Sequence, residues 1–311
     1  MKLISLAFYN LENFFDTKND PHTDDDDFTP KGIMHWVKKR YFNKRNKIAK
    51  VISKIGVDET GNPPAVIGLA EIENNTVLHD LVSSKHLKKH NYKFVHFESA
   101  DHRGIDVAML YRSDIFELLE SNKYPVELFN DEGKPYYTRD ILYCKGKLAG
   151  EQVHLFFNHW PSRREGDIIS DQKRYLAATR LREQIDYIKY EEPHSKIIIF
   201  GDFNTNPTDK TIKNTLLGQD FFNPAEKIFQ QGKGSLSHDK EWMLFDQIMF
   251  TNNFKTKDTS YIFKNFMIYN PRYLKVWKGK FKNLPFRTFL NRKYNNGYSD
   301  HFPVFCVLEG E

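Results

Sequence analysis

Lys196-Ile197-Ile198-Ile199-Phe200 runs without a break into Gly201-Asp202-Phe203-Asn204. The apolar run is too short for a helix and rich in β-branched residues, so it reads as a fully buried strand. Such a strand needs other strands on its edges and packed layers on its faces, which points to a layered α/β fold. The same design recurs along the chain. Residues 3–9 form a short apolar run followed by Asn10 and Glu12. Residues 65–70, introduced by the turn Gly61-Asn62-Pro63-Pro64, are followed by Glu71 and Glu73. Residues 153–158 finish on Asn158 and His159, and Asp300-His301 precede the apolar run 302–308. Residues two apart on a strand share a face, so Asn10 with Glu12, and Asp202 with Asn204, are expected to point together.

Further strands are expected over residues 92–97, 105–111, 137–143, 244–250 and 261–268. A surface helix is read over 37–55, with Val37, Tyr41, Ile48, Val51, Ile52 and Ile55 at near-helical spacing. A second helix is expected over 76–87. A long one is expected over 171–189, with Leu176, Thr179, Leu181, Ile185 and Ile188 on its buried side. There is no fixed-period repeat, low-complexity block or Ser/Gly linker. The expectation is one α/β domain over residues 1–311, two packed sheets flanked by helices.

Composition removes several classes. A chain of 311 residues with 40% hydrophobic and 28% charged residues can bury a large core without staples. Two cysteines, Cys144 and Cys306, are too few for a disulfide framework or a cysteine-rich zinc site, and both read as buried thiols. No apolar run reaches the roughly 20 residues of a membrane span. The net charge of +5 is compatible with an anionic partner and identifies none. The apolar stretch after Met1-Lys2 is shorter than a signal core, so the expected compartment is the cytoplasm, with an exported form whose signal has been removed as the alternative.

Two amides, several carboxylates and two histidines at the ends of separate buried strands suggest a metal-assisted acid–base site. Tyr9-Asn10-Leu11-Glu12-Asn13, Leu69-Ala70-Glu71, Asn158-His159, Gly201-Asp202-Phe203-Asn204, Asp246-Gln247-Ile248 and Ser299-Asp300-His301-Phe302-Pro303 occur in the order found in the endonuclease/exonuclease/phosphatase superfamily. The chain resembles that superfamily, the DNase I-like fold, over residues 3 to 308. The resemblance implies a four-layer α/β sandwich with two packed, mainly antiparallel sheets flanked by helices.

It also implies roles. Glu71 matches the family's metal-binding glutamate, and Asn10, Glu12 and Asp300 match positions that complete or flank the metal's shell, although the family usually has Asp where Glu12 stands. The implied ion is Mg²⁺, with Mn²⁺ as a substitute. Asp202 and Asn204 match the pair that positions the attacking water and the scissile phosphate. His301 matches a general base oriented by Asp246, and whether Asp202 or His301 takes the water's proton stays open. His159 matches a histidine that stabilises phosphate or protonates the leaving oxygen. The family's abasic-site endonucleases lack it, which counts against abasic-site repair. Asn158, Arg163 and Arg164 are candidate substrate contacts, since arginine suits phosphate through paired hydrogen bonds.

Residues 259–299 contain nine Lys or Arg, eleven aromatic residues and no Asp or Glu. Such a stretch beside Asp300-His301 suits a polyanion, with cations on phosphates and rings on bases; a solvated surface loop is the alternative. The run Asp24–Asp27 lacks the glycine and terminal glutamate of an EF-hand and reads as a solvated loop. The favoured function is a Mg²⁺-dependent phosphodiesterase hydrolysing nucleic acid through an activated water. A sphingomyelinase-like or inositol-phosphate phosphatase-like hydrolase is the alternative enzyme, and a non-catalytic nucleic-acid-binding protein of this fold the alternative class. DNA versus RNA, endo- versus exonuclease action and oligomeric state stay open, with a monomer compatible.

Overall fold

The structure is a computed structural model and describes residues 2–129, 133–163, 166–256 and 260–310. Twelve strands build its two main sheets: β1 (Lys2–Phe14), β2 (Val66–Ile72), β3 (Tyr92–His96), β4 (Asp106–Arg112), β5 (Phe116–Tyr124), β6 (Ile141–Leu148), β7 (Glu151–His159), β8 (Ile197–Asp202), β9 (Phe221–Phe222), β10 (Asp246–Thr251), β11 (Tyr261–Ile268) and β12 (Val304–Gly310). One sheet has the order β11-β12-β1-β2-β4-β3, the other β9-β10-β8-β7-β6-β5. Each is antiparallel except for one parallel pair, β1 with β2 and β8 with β7. Parallel neighbours end at the same edge, so the polar residues that close these strands collect there.

Side-chain alternation produces the layers. On β8, Ile198 and Phe200 face the other sheet with Leu6 and Phe8 of β1, Phe157 of β7 and Ile248 of β10. Ile197 and Ile199 face away, against Ala177, Ala178, Leu181 and Ile185 of helix α3 (Asp167–Glu191). A strand covered on both faces has no polar side to show, hence its unbroken apolar sequence. The outer face of the first sheet packs on α1 (Lys38–Ile52) and α2 (Asn75–Val82) through Ile48, Ile52, Val77 and Leu81. Asn74 caps α2, its side chain accepting the amide proton of Val77. The result is helix, sheet, sheet, helix, as expected. Both cysteines are buried and free. Among the described residues no helix is long and apolar enough to cross a membrane.

Several local expectations need correction. Leu176 is exposed, because α3 is rotated to bury Arg174 and the small Ala177 and Ala178. The predicted strand 137–143 is two pieces: Pro135–Tyr137 pairs with Glu127–Phe129, and β6 starts at Ile141 after Arg139 has turned inward. β5, an edge strand with mostly polar residues, carried too weak an alternation to be predicted. The acidic run is not wholly solvated, since Asp25 is buried with both carboxylate oxygens accepting from the Asp20 amide.

At Gly68 the two sheets are closely apposed. A Cβ there would stand 2.5 Å from Phe157 Cδ1 and 2.8 Å from Phe8 Cδ2. Phe157 is itself stacked on Phe200 with ring centroids 4.8 Å apart, so it has nowhere to retreat. Gly68→Ala is therefore expected to destabilise the protein by about 1–3 kcal/mol, the usual cost of overpacking. Urea unfolding of the two proteins measures it, and an unchanged midpoint would mean the sheets are not tightly apposed at this point.

Candidate active site

The same parity that fills the inter-sheet layer aims the polar residues at its mouth. Asn10 follows Leu6 and Phe8, and Asp202 follows Ile198 and Phe200. Both face the other sheet, and Asn10 Nδ2 donates to Asp202 Oδ2 at 3.0 Å across the interface. His159, Asp202 and Asp246 lie abreast in register on β7, β8 and β10. His301, just before β12, places Nδ1 2.7 Å from Asp246 Oδ2 and Nε2 3.9 Å from Asp202 Oδ2. His159 Nε2 is 3.8 Å from the same Asp202 oxygen. One carboxylate thus sits between two imidazoles, one of which is anchored by a second carboxylate.

Burial and charge tune these groups. Burial pushes Asp202 up to about 6; Asp246 adds to the rise, while His301 and the hydrogen bonds from Asn204 and Asn10 oppose it. For His301 burial disfavours the charged ring, but Asp246, Asp202 and Asp300 outweigh it and hold the imidazole well above its ordinary value. Ser235 Oγ donates to Asp246 Oδ2 at 2.5 Å, and Ser299 Oγ accepts from the His301 amide at 3.0 Å while donating to the Asn10 carbonyl at 2.7 Å. The Asn204 backbone amide donates to Asp202 Oδ1, and its side-chain Nδ2 donates to the Trp160 carbonyl at 2.9 Å.

Glu71 owes its place to a backbone irregularity. Strict alternation would turn it toward the helices beside Ile67 and Leu69. Instead β2 shifts register between Ala70 and Ile72, and Glu71 has φ 63°. β1 shifts register beside it, between Asn10 and Phe14, with Glu12 and Asn13 also at positive φ. Glu71 Oε2 accepts the Asn13 amide at 2.6 Å, and Arg103 Nη2 lies 3.7 Å from Oε1.

Glu12 is held differently. It is buried, with Oε2 accepting from the Thr288 amide at 2.5 Å and Oε1 accepting from the Phe289 amide at 3.3 Å and Arg287 Nε at 3.2 Å. Arg287 Nη2 continues to Asp300 Oδ2 at 2.9 Å. Burial, then the charge of Asp300, pushes Glu12 up to about 7, and burial draws the neighbouring Lys44 down to about 8. Asn158 is fully buried and donates to the Phe200 carbonyl at 3.2 Å, so it ties β7 to β8 and is not exposed to a ligand. Arg163 is exposed, with Nε donating to the Asn204 carbonyl at 3.2 Å. Arg164 lies outside the described residues.

The donor set suits a hard divalent cation. Glu71 and Asp300 offer carboxylate oxygens that are not fully buried, and Asn10 offers an amide oxygen. A second group, Asp202, Asp246 and His301, has its candidate ligand atoms within 4.8 Å of one another, but its Asp246 oxygen and His301 Nδ1 are already bonded together.

Sequence reasoning passed over Arg139. Its buried guanidinium donates to the His159 carbonyl at 3.2 Å and the Trp160 carbonyl at 2.7 Å, and pairs with buried Asp101 at 3.1 Å. A lone arginine in a polar stretch carries no spacing signal, and only the fold brings it under the His159 strand end. Ser235 and Lys44 were missed for the same reason, and Ser299, although part of the Ser299–Pro303 motif, was given no role.

Two mixed sheets packed face to face, with acid, amide and imidazole groups at the mouth between them, define the DNase I-like class of α/β sandwich. The chain belongs to the Endonuclease/Exonuclease/phosphatase family, whose model matches residues 5–310 and whose members are phosphoric-ester hydrolases. No curated protein matches it. Among solved structures it is similar to humanized TDP2 of D. rerio (15% identity, 99% of each chain, TM-score 0.59). It is similar to D. rerio TDP2 complexed with a single-strand DNA product (15% identity, 99% of each chain, TM-score 0.56). It is also similar to the mannosyl-6-phosphatase Bt3783 of Bacteroides thetaiotaomicron (16% identity, 98% of this chain and 99% of that chain, TM-score 0.60).

Arg139→Gln should lower stability by about 3–5 kcal/mol, since it strands Asp101 as an uncompensated buried charge. The double substitution Arg139→Met with Asp101→Leu should recover much of that loss. Thermal or urea unfolding of the three proteins checks it, and an unperturbed single mutant would remove Arg139 from the support of this strand end.

Proposed function

We propose that the protein is a metal-dependent phosphodiesterase acting on nucleic acid, with residues 1–311 forming one catalytic domain. The observation that carries this reading is the meeting of four strand ends at Asp202 Oδ2, with Asn10 Nδ2 at 3.0 Å, His159 Nε2 at 3.8 Å and His301 Nε2 at 3.9 Å. The ion, Mg²⁺ or Mn²⁺, would be held by Glu71 with Asn10 and Asp300 and would supply charge neutralisation at the phosphate. Glu12 acts chiefly as an acceptor that docks the 287–289 segment, and through Arg287 it fixes Asp300.

The chain's own groups then divide the work. Asp202 and His301 Nε2 form one acid–base unit that orients the attacking water and accepts its proton. Asp246 holds the His301 ring through Nδ1, leaving Nε2 directed at Asp202. His159, on the other side of Asp202, faces the leaving oxygen and stabilises or protonates it. Asn204, its amide fixed by the Trp160 carbonyl, and Arg163 beside it contact the phosphate.

Nucleic acid is favoured over a small phosphate ester by residues 272–293. Arg272, Lys278, Lys280, Lys282, Arg292 and Lys293 are all exposed and make no ion pair among the described residues. A line of unpaired cations leading to the site matches a polyanion. The similarity to a sugar phosphatase keeps a phosphomonoester as the second reading, so the substrate panel must include one.

In a panel of plasmid, single-stranded DNA, RNA, sphingomyelin, a sugar phosphate and a chromogenic diester, the nucleic acids should be hydrolysed best, and that hydrolysis should stop in chelator and return with Mg²⁺ or Mn²⁺. Glu71→Gln should weaken metal binding measured by calorimetry. His159→Ala and His301→Ala should each reduce kcat by about 10²–10⁴-fold. Full activity in excess chelator, or wild-type turnover in either histidine variant, would defeat the mechanism. For the substrate, replacing Lys278, Lys280 and Lys282 with Gln should flatten the logarithmic salt dependence of single-strand binding by about 0.7 for each phosphate no longer neutralised. Equal slopes would leave these lysines as a solvated face.

A further inference from the structure

Beside Asp300 lies a cavity of about 390 Å³ that the chemical step does not use. Trp277, Phe281, Phe286 and Leu290 contribute its apolar lining, and Lys278, Arg287 and Asn295 its polar groups. Backbone hydrogen bonds hold its walls in place: Val276 to Leu284 at 2.9 Å, Asn283 to Val276 at 2.8 Å and Phe286 to Leu274 at 2.8 Å. Trp277 is nevertheless 68% exposed and Phe281 41%. Large rings left in water on a pinned frame are the feature to explain.

The contents of this cavity fit one occupant. Its volume is at the lower end of small-molecule sites, and its lining is aromatic with a few polar groups, as for a flat heterocycle. Lys278 and Lys280 stand over the Trp277 and Phe281 rings, at 4.7 and 5.6 Å from their centroids, so cationic and stacking surfaces alternate. Arg287 and Asp300 connect the cavity to the catalytic mouth, which puts the neighbouring phosphate of a bound strand at the site. Resting on the phosphodiesterase reading above, we propose that this cavity takes an unpaired nucleobase adjacent to the scissile phosphate, so that the protein acts on single-stranded nucleic acid. Bases inside a duplex are paired and stacked on one another and present phosphates outward, which leaves nothing to enter a recessed apolar slot. A membrane surface would call for apolar atoms on an outward tip alone. Here Phe286 and Leu290, both less exposed than Trp277, line the same cavity with it.

The test is binding in chelator, where no cleavage intervenes, read by anisotropy of a labelled oligothymidylate. Wild type should bind the single strand tighter than a duplex of equal length. A scan of single abasic spacers should find one position that weakens binding about 10- to 100-fold, the usual worth of one stacked base. Trp277→Ala should lose the same factor on the normal strand and become indifferent to the spacer, and Trp277→Phe should restore most of it. Equal affinity for base-containing and base-free strands, or for duplex and single strand, would overturn the inference. So would Trp277-dependent co-sedimentation with phosphatidylserine vesicles in place of oligonucleotide binding. The two readings fail separately. If the Mg²⁺-loaded protein cleaves a chromogenic diester yet binding ignores the base, the cavity assignment falls alone. If the strand binds through Trp277 and no phosphodiester is cleaved, the catalytic reading falls alone.

Discussion

The hydrogen bond from Asn10 to Asp202 joins the two sheets where their apolar interface stops. The acid, amide and imidazole groups of the candidate site are arranged around that point. A buried carboxylate is costly unless its lone pairs are satisfied, and Asp202 meets the requirement with the Asn10 side chain, the Asn204 amide and two nearby imidazoles. Each of those partners comes from a different strand end. The register of both sheets is therefore locked to the geometry of one side chain, since a one-residue slip in β8 would turn Asp202 out toward α3.

The charges at the mouth divide into two groups with different tasks. Asp246, His301 and Asp202 form a chain of hydrogen-bonded and near-contact groups inside the interface, suited to moving a proton. Glu71 and Asp300 lie at its rim, and there the bulges of β1 and β2 replace strand alternation. Bulges re-aim side chains without ending a strand: the irregularity of β2 re-aims Glu71, and that of β1 accompanies Glu12 as it accepts the Thr288 and Phe289 amides.

The 272–298 segment is fastened to this centre by Glu12. Its carboxylate accepts two backbone amides of the segment and Arg287, and Arg287 in turn holds Asp300. The element that carries the exposed lysines and Trp277 is thus anchored to the strand that carries Asn10. The segment and the strand end are parts of one hydrogen-bonded unit, with Lys44 donating to the Glu12 carbonyl.

Local sequence determined the strands and the chemistry of their ends. The run 196–200 is apolar because both its faces are covered, and its Asp202 and Asn204 had to lie where the cover stops. The order of the Asn10, Glu71, His159, Asp202, Asp246 and His301 motifs, with the resemblance they carry, pointed to the four-layer sandwich. Tertiary structure alone decided which of these groups meet. Glu12 and Phe289 are 277 positions apart, and Asn10 and Asp202 are 192 apart. No periodicity reports on such pairings. Whether Glu71 faces the mouth was decided by a left-handed backbone residue, and whether Glu12 is a ligand or an anchor by two amides on a distant loop. Arg139 became part of the site only when a break in a predicted strand turned its guanidinium beneath His159. Hydrogen bonds between remote segments have no local signature, because their partners are chosen by how whole layers pack.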